Sequence, residues 1–96
     1  MRMREILEDL DKGNAKADEL ILQVDVWTSR VNYVIRIGNI DIIYSMFRDS
    51  IFPSYMAIVE NGVETKIYED IETEKELFTE YWYNCDLNAK VMENVD

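Results

Sequence analysis

The sequence predicts an α+β fold, in which an antiparallel β-meander of four or five strands carries an N-terminal and a C-terminal helix packed on it. Three observations lead to this prediction. Apolar residues recur at helical spacing in the first dozen positions, alternate with polar residues through the middle of the chain, and return to helical spacing after residue 73. The 96 residues have the size of one domain, and their 48% hydrophobic content argues against a disordered chain. We therefore expect residues 1–96 to form a single domain.

The first element is an amphipathic helix over residues 2–12. Four apolar residues share one helix face at a spacing of three or four: Met3, Ile6, Leu7 and Leu10. The pair Gly13-Asn14 is typical of a helix end. Because a helix this short is marginal in isolation, we expect it to pack on the sheet.

Two alternating segments follow and predict the first two strands. Residues 20–27 place four aliphatic side chains on one face: Leu20, Leu22, Val24 and Val26. Residues 31–37 alternate in the same way. Gly38-Asn39 has the composition of a two-residue hairpin loop with glycine first.

The segment over residues 40–52 fits two structures. Alternating apolar residues at 40, 42, 44 and 46 fit a strand, whereas Ile40, Ile43, Phe47 and Ile51 fit a helix that ends at Pro53. We favour a strand through Met46 followed by a loop to Ser54, and the helix stays open as the alternative.

The dipeptide Asn61-Gly62 is the strongest local signal in the chain. It favours a type I′ turn, and hence a hairpin of strands 55–60 and 63–69, because both central residues of that turn need positive φ. Thr73 and Glu76 have the spacing of a capping box, which predicts a helix over residues 74–84. Residues 86–95 are expected to form a short turn of helix or to fray.

Charge is the most informative feature for function. Twenty acidic residues against ten basic ones give a net charge of −10. Residues 1–59 hold nine acids and seven bases, whereas residues 60–96 hold eleven acids and three bases. The electrostatic field of this negative charge repels nucleic acids and anionic membranes and attracts basic protein surfaces. We therefore expect a basic protein partner and no direct contact with nucleic acid or membrane; the alternative is that the charge serves solubility only.

The sequence has no pattern typical of catalysis, a metal site or a cofactor site. It contains no histidine, and its three glycines are not clustered into a phosphate-binding loop. Cys85 precedes Asp86 and has no histidine to activate its thiol. We expect a non-enzymatic protein without metal or cofactor. A single cysteine, an N-terminus unlike a signal peptide and the lack of a long apolar run predict a cytoplasmic location.

An acidic strip and one tyrosine form the candidate partner-binding site. Its members are Glu64, Glu69, Asp70, Glu72, Glu74, Glu76, Glu80 and Tyr83. Glutamates four residues apart on a helix lie about 6 Å apart, and alternate residues of an extended chain lie about 6.5–7 Å apart. These spacings are similar to those of phosphates along a nucleic-acid strand, so a basic groove could accept the carboxylates in their place. The alternative is an ordinary solvated face.

Tyr83 belongs to the triplet Tyr81-Trp82-Tyr83. Successive helical residues point about 100° apart, so the three rings cannot all face the sheet. We expect Tyr83 or its neighbour near the surface, where an aromatic residue beside charge is a common interface anchor. The alternative is a ring that lies over the edge of the sheet.

The strand pair YMAIVENGVETKIYED and the following ETEKELFTEYWYN resemble, in layout, the small acidic anti-CRISPR proteins of phages. Some members of that group place a short antiparallel sheet beside acidic helices and occupy the DNA site of a CRISPR nuclease. The resemblance implies a DNA mimic. The chain is also similar to bacterial immunity proteins, small acidic domains that neutralise a nuclease toxin. A third hypothesis is a structural subunit that forms homo-oligomers through strand edges or aromatic residues. The sequence leaves the three hypotheses and the oligomeric state open.

Overall fold

The computed structural model describes residues 2–48 and 53–94. Two helices and six strands follow one another along these residues: α1 (Arg2–Lys12), β1 (Glu19–Asp25), β2 (Arg30–Ile37), β3 (Ile40–Phe47), β4 (Tyr55–Glu60), β5 (Val63–Ile67), α2 (Glu72–Asn84) and β6 (Ala89–Asn94). The strands form one sheet in the order β5-β4-β3-β2-β1-β6. The α+β class is therefore confirmed.

The predicted antiparallel meander of four or five strands is wrong, because a sixth strand joins the sheet in parallel. Strands β1 to β5 do form an antiparallel meander, but β6 pairs with β1 in parallel, with Leu22 opposite Val91. The chain reaches this far edge through α2, whose 13 residues span roughly 20 Å. Such a helical crossover is the usual way to join a parallel strand.

The expectation of a helical turn or a frayed end over residues 86–95 is also wrong, since Ala89–Asn94 is strand β6. All six of its residues are exposed, so neither face is covered by a neighbouring layer. Alternation of apolar and polar residues is required only where one face of a strand is buried, so a strand exposed on both faces need not show it. Its short sequence AKVMEN therefore carries little strand signal.

The other strand predictions hold with small shifts in their ends. Strand β3 over Ile40–Phe47 confirms the strand rather than the helix, and the loop predicted after it falls partly outside the described residues. Strand β1 ends at Asp25, two residues early, because the Asp25 carboxylate accepts hydrogen bonds from the N–H groups of Trp27 and Thr28 at 3.0 and 3.3 Å. Asn61 and Gly62 have φ of 54° and 77°, as a type I′ turn requires.

Both helices pack on one face of the sheet around a single core. Helix α1, at its predicted bounds, contributes Met3, Leu7 and Leu10, and α2 contributes Phe78. The strands supply the floor of this core with Leu20, Ile35, Ile42 and Met56. Burying a side chain of this kind contributes about 1.5–3 kcal/mol, so this core supplies most of the driving force for folding.

The start of α2 is set by burial rather than by the predicted capping box. The helix begins at Glu72, so Thr73 lies inside its first turn, and the residue at the cap position is Ile71, which makes no side-chain capping bond. Ile71 is buried in the core, and its carbonyl accepts a hydrogen bond from the N–H of Lys75 at 2.8 Å. Anchoring of Ile71 thus fixes where the helix starts.

Tyr81 ties α2 to the segment that joins α1 to β1. Its hydroxyl accepts a hydrogen bond from the backbone N–H of Ala17 at 2.9 Å. Burial raises the pKa of Tyr81 above its usual value, which keeps the phenol protonated. This contact and the burial of Ile71 and Phe78 are consistent with one orientation of α2, which leaves its opposite side exposed to solvent.

Candidate functional site

Three glutamates form a row along the exposed side of α2. Glu72, Glu76 and Glu80 recur every four residues, and all three are exposed. Neighbours in such a row lie about 6 Å apart, and the row spans about 12 Å along the helix axis. Within the described residues, none of these three carboxylates forms an ion pair or accepts a hydrogen bond. They are therefore free to receive a partner's cations.

The loop before α2 extends the row with two more acids. Glu69 and Asp70 are exposed and directly precede the buried Ile71. Asp70 adopts a φ of 55°, a left-handed conformation that aspartate tolerates better than most residues. This local conformation turns the chain from β5 into α2, so the acidic residues continue from the loop onto the helix.

Glu74 does not belong to the exposed strip, contrary to the prediction. It is completely buried at 0% exposure, its Oε1 accepts a hydrogen bond from Nε of Arg4 at 2.9 Å, and Nη2 of Arg4 forms an ion pair with the same oxygen at 2.8 Å. It lies on the inner stripe of α2, between Ile71 and Phe78 at spacings of three and four. The spacing alone could have indicated that Glu74 points inward. A buried glutamate needs a charge partner, however, and the sequence does not reveal that partner because Arg4 lies 70 residues away.

Glu64 is exposed, but it lies on the other face of the sheet from the α2 row. It pairs with Val59 across the sheet, whereas Ile67, three residues further along β5, packs against the core under the helices. Residues an odd number apart in a strand point to opposite faces. The structure therefore assembles Glu69, Asp70 and the α2 row into one acidic strip and leaves Glu64 and Glu74 outside it; "acidic strip" below means Glu69, Asp70, Glu72, Glu76 and Glu80.

The two lysines closest in sequence to the strip, Lys66 and Lys75, both contact aromatic rings. Lys75 Nζ lies 5.7 Å from the ring centroid of Tyr44 and donates to Ser54 Oγ at 3.3 Å. Lys66 Nζ lies 5.0 Å from the centroid of Tyr55. Lys66 lies on the same sheet face as Glu64, away from the strip. The amine of Lys75 is held by Ser54 and Tyr44, so within the described part of the chain neither lysine pairs with a carboxylate of the strip.

An aromatic cleft opens beside the strip, between α2 and the ends of β2 and β3. It is a cavity of about 230 Å³, and five of its lining residues are Tyr33, Tyr44, Met46, Trp82 and Tyr83. A second, wider cavity of about 540 Å³ adjoins it, shares Tyr44, Thr79 and Tyr83 with it, and is bordered by Glu76 and Glu80. The cleft and the strip therefore meet on one surface.

The rings of the cleft are held in place by one another. Tyr33 meets Trp82 edge-on at 5.2 Å between centroids, and Phe78 lies under Trp82 at 6.1 Å with the two planes 12° apart. Tyr83 is 75% exposed and borders the opening. Of these residues, only Tyr83 was predicted from the sequence as a site residue. Tyr33 and Tyr44 lie opposite each other on one face of the sheet, which could have indicated an aromatic surface. The local sequence does not show that the end of α2 packs over these two rings.

Other classes of site find no support in the described residues. Within residues 2–48 and 53–94, no group of three or more acidic or cysteine side chains is arranged to hold a metal ion. None of the helices in the same ranges is long and apolar enough to cross a membrane. Cys85 is half-buried against the core, where its Sγ accepts a bond from the N–H of Leu87 at 3.5 Å.

Comparisons of this chain with protein-family models, with curated proteins and with solved structures find no match. The resemblance to acidic anti-CRISPR and immunity proteins therefore stays a prediction. Function has to be argued from the strip and the cleft themselves.

Proposed function

We propose that this protein is a non-enzymatic inhibitor that binds the basic nucleic-acid-binding surface of a nuclease through its acidic strip. The observation that carries the proposal is the row of Glu72, Glu76 and Glu80, which are exposed, evenly spaced and unpaired within the described residues. A groove built to neutralise phosphates can neutralise such a row as well. Tyr83, exposed beside the row, supplies the aromatic contact that many interfaces use as an anchor.

The setting that this chemistry fits best is a phage anti-CRISPR protein that acts as a DNA mimic in the cytoplasm of a bacterial host. An immunity or antitoxin protein directed at a nuclease toxin would use the same contacts. In both cases the net charge of −10 would speed the encounter with a basic target, and its effect would weaken as salt screens the charges.

The test compares three forms of the protein as bait in a bacterial lysate. The first is the unchanged protein, and the second carries Glu72→Gln, Glu76→Gln and Glu80→Gln, which remove three charges at nearly constant size. The third is the matched control with Glu5→Gln, Asp9→Asn and Asp11→Asn, three exposed acids of α1 and its end. A captured nuclease is then tested for release by a DNA duplex and for inhibition of its activity.

The unchanged protein and the α1 control should capture and inhibit the nuclease at low salt and lose it at about 0.5 M salt. The strip variant should do neither, with an unchanged circular dichroism spectrum, since exposed charges contribute little to stability. Inhibition that survives in the strip variant, or a complex that DNA cannot compete with, contradicts the proposal.

A second candidate function is that of a structural homo-oligomer, and the order of residues along the edge strand β5 favours it. This strand forms one edge of the sheet. An antiparallel contact between two copies about a two-fold axis at Thr65 would place Glu64 opposite Lys66, and Val63 opposite Ile67, in both directions. Opposite charges across a strand pair stabilise it, and like charges destabilise it. In sedimentation equilibrium, Glu64→Lys should dissociate such a dimer and adding Lys66→Glu should restore it; a monomer at every concentration excludes this candidate.

A further inference from the structure

The aromatic cleft has the size of one side chain. Its volume of about 230 Å³ corresponds to roughly seven or eight water molecules at about 30 Å³ each. Pockets for drug-sized ligands are larger, about 300–1,000 Å³, and bury most of the ligand. The cleft is open to solvent on the side of Tyr83, so its occupant can enter from a neighbouring surface.

The lining of the cleft is suited to a cation. Tyrosine and tryptophan attract a cation that lies within about 6 Å of the ring centroid, and tryptophan does so most strongly. The protein itself shows this contact at the border of the cleft, where Lys75 Nζ lies 5.7 Å from the centroid of Tyr44. Trp82 and Tyr83 line the same cleft, and within the described residues no lysine or arginine lies over either ring.

The charge at the entrance favours the same occupant. The adjoining cavity is bordered by Glu76 and Glu80, and the one basic residue among its lining residues is Lys75, whose amine is held by Ser54 and Tyr44. A cation that approaches the cleft therefore meets two carboxylates and one ammonium group, which together leave a net negative charge at the entrance. An apolar side chain would fit the rings but would gain nothing from this entrance.

We propose that the aromatic cleft binds a single cationic side chain of the partner, an arginine or a lysine, whose stem passes Tyr83 and whose charged end lies between Trp82 and the carboxylates of Glu76 and Glu80. The ring of Tyr44 is already in contact with the ammonium group of Lys75. Arginine is the better fit, because its planar guanidinium can stack on a ring and donate to a carboxylate at the same time. The inference rests on the proposed function in that the cation belongs to a basic partner, but the cleft's preference for a cation can be measured without that partner.

The experiment follows the two tryptophan indole N–H signals by ¹H–¹⁵N NMR during titration with N-acetyl-arginine methylamide. Trp82 lines the cleft, whereas Trp27 is exposed in the turn after β1 and is not among the lining residues, so its signal is an internal reference. The corresponding citrulline amide has nearly the same shape without the charge, and the leucine amide is a neutral apolar probe. Both are titrated in the same way.

We expect the arginine probe to shift the Trp82 signal with millimolar saturation, to leave Trp27 without a saturating shift, and to bind at least tenfold more tightly than citrulline. Tyr83→Ala and Glu80→Gln should each weaken binding about two- to fivefold, the range for a cation–π or ion-pair contact at an exposed site. Tyr68→Ala, which removes an exposed tyrosine outside the cleft, should leave binding unchanged.

Equal binding of the leucine and arginine probes would overturn the inference and assign the cleft to an apolar side chain. No saturable shift of Trp82 with any probe would overturn it as well. Either result leaves the proposed function intact if the strip variant still loses inhibition. If instead arginine binds in the cleft while the strip variant keeps its inhibition, the inference holds and the proposed function fails.

Discussion

Replacing Arg4 by glutamine should destabilise the fold far more than replacing Arg2, although both are arginines of α1 that pair with a glutamate. The Arg2–Glu60 pair has side chains that are 56% and 34% exposed, so water can replace either partner. The Arg4–Glu74 pair joins a half-exposed guanidinium to a carboxylate with 0% exposure. Loss of Arg4 would therefore leave a buried charge without a partner.

The size of the effect follows from that burial. Removing one partner of a fully buried ion pair costs about 3–5 kcal/mol. Because the Arg4 side chain is 46% exposed, we expect the lower end of this range, about 3 kcal/mol. Glu74 Oε2 is already buried without a hydrogen-bond partner within the described residues, so no second bond offsets the loss. The total stability of a domain is about 5–15 kcal/mol, and the predicted loss is a large share of it.

Urea denaturation followed by circular dichroism measures this loss. With a slope near 2 kcal/mol/M, Arg4→Gln should lower the midpoint by about 1.5 M, and thermal unfolding should begin roughly 10–20 °C earlier. Arg2→Gln is the matched control, with the same change two residues away, and should move the midpoint little. The double replacement Arg4→Met with Glu74→Met should recover most of the loss, since an apolar pair of similar volume needs no charge partner. Equal losses in the two single variants would refute the reasoning.

Three further predictions concern pH and local stability. The hydrogen bond from Arg2 lowers the pKa of Glu60. This pair therefore stabilises the fold above the usual glutamate pKa and loses its contribution as the pH falls through the lowered value. The difference in melting temperature between the unchanged protein and Arg2→Gln should be constant near neutrality and should decrease below about pH 4.5. Tyr81 has a raised pKa, so its contribution to stability is present below the usual tyrosine pKa and lost at higher pH. Tyr81→Phe should cost about 1 kcal/mol at pH 7 and remove from an ultraviolet titration a phenol that ionises above the usual tyrosine pKa. Amide hydrogens of β6 should exchange faster than those of β2 and β3, because β6 is exposed along its whole length and lies at an edge; equal protection would contradict this order.

Periodicity predicted those parts of the fold that bury one face. Met3, Leu7 and Leu10 define α1, and the alternation of Ile40, Ile42 and Tyr44 marks β3, because each set faces the same core. Strand β6 has no such face, so its pattern could not predict it, and the parallel pairing depends on where α2 delivers the chain.

The site was predictable only where side chains remain at the surface. Glu76 and Glu80 are exposed at the helical spacing that was predicted for them, whereas Glu72 was expected on an extended segment and instead begins α2. Glu74 looked the same in the sequence, but its position is decided by Arg4, which meets it only when the two helices pack together. The aromatic cleft likewise depends on the contact between the β2–β3 hairpin and α2, which are far apart in the chain.

The parallel pairing of β1 with β6 has a consequence for how the protein is made. The outer edge of β1 stays without its partner until residues 89–94 have been synthesised, and residue 94 lies 69 residues after β1 ends at Asp25. At roughly 5–20 residues per second, synthesis of this stretch takes about 3–14 s. An open edge is the kind of strand to which other chains add. Strand β6 therefore covers the edge of β1 only late in synthesis, and the speed of translation between the two strands sets how long each new molecule is at risk of aggregation.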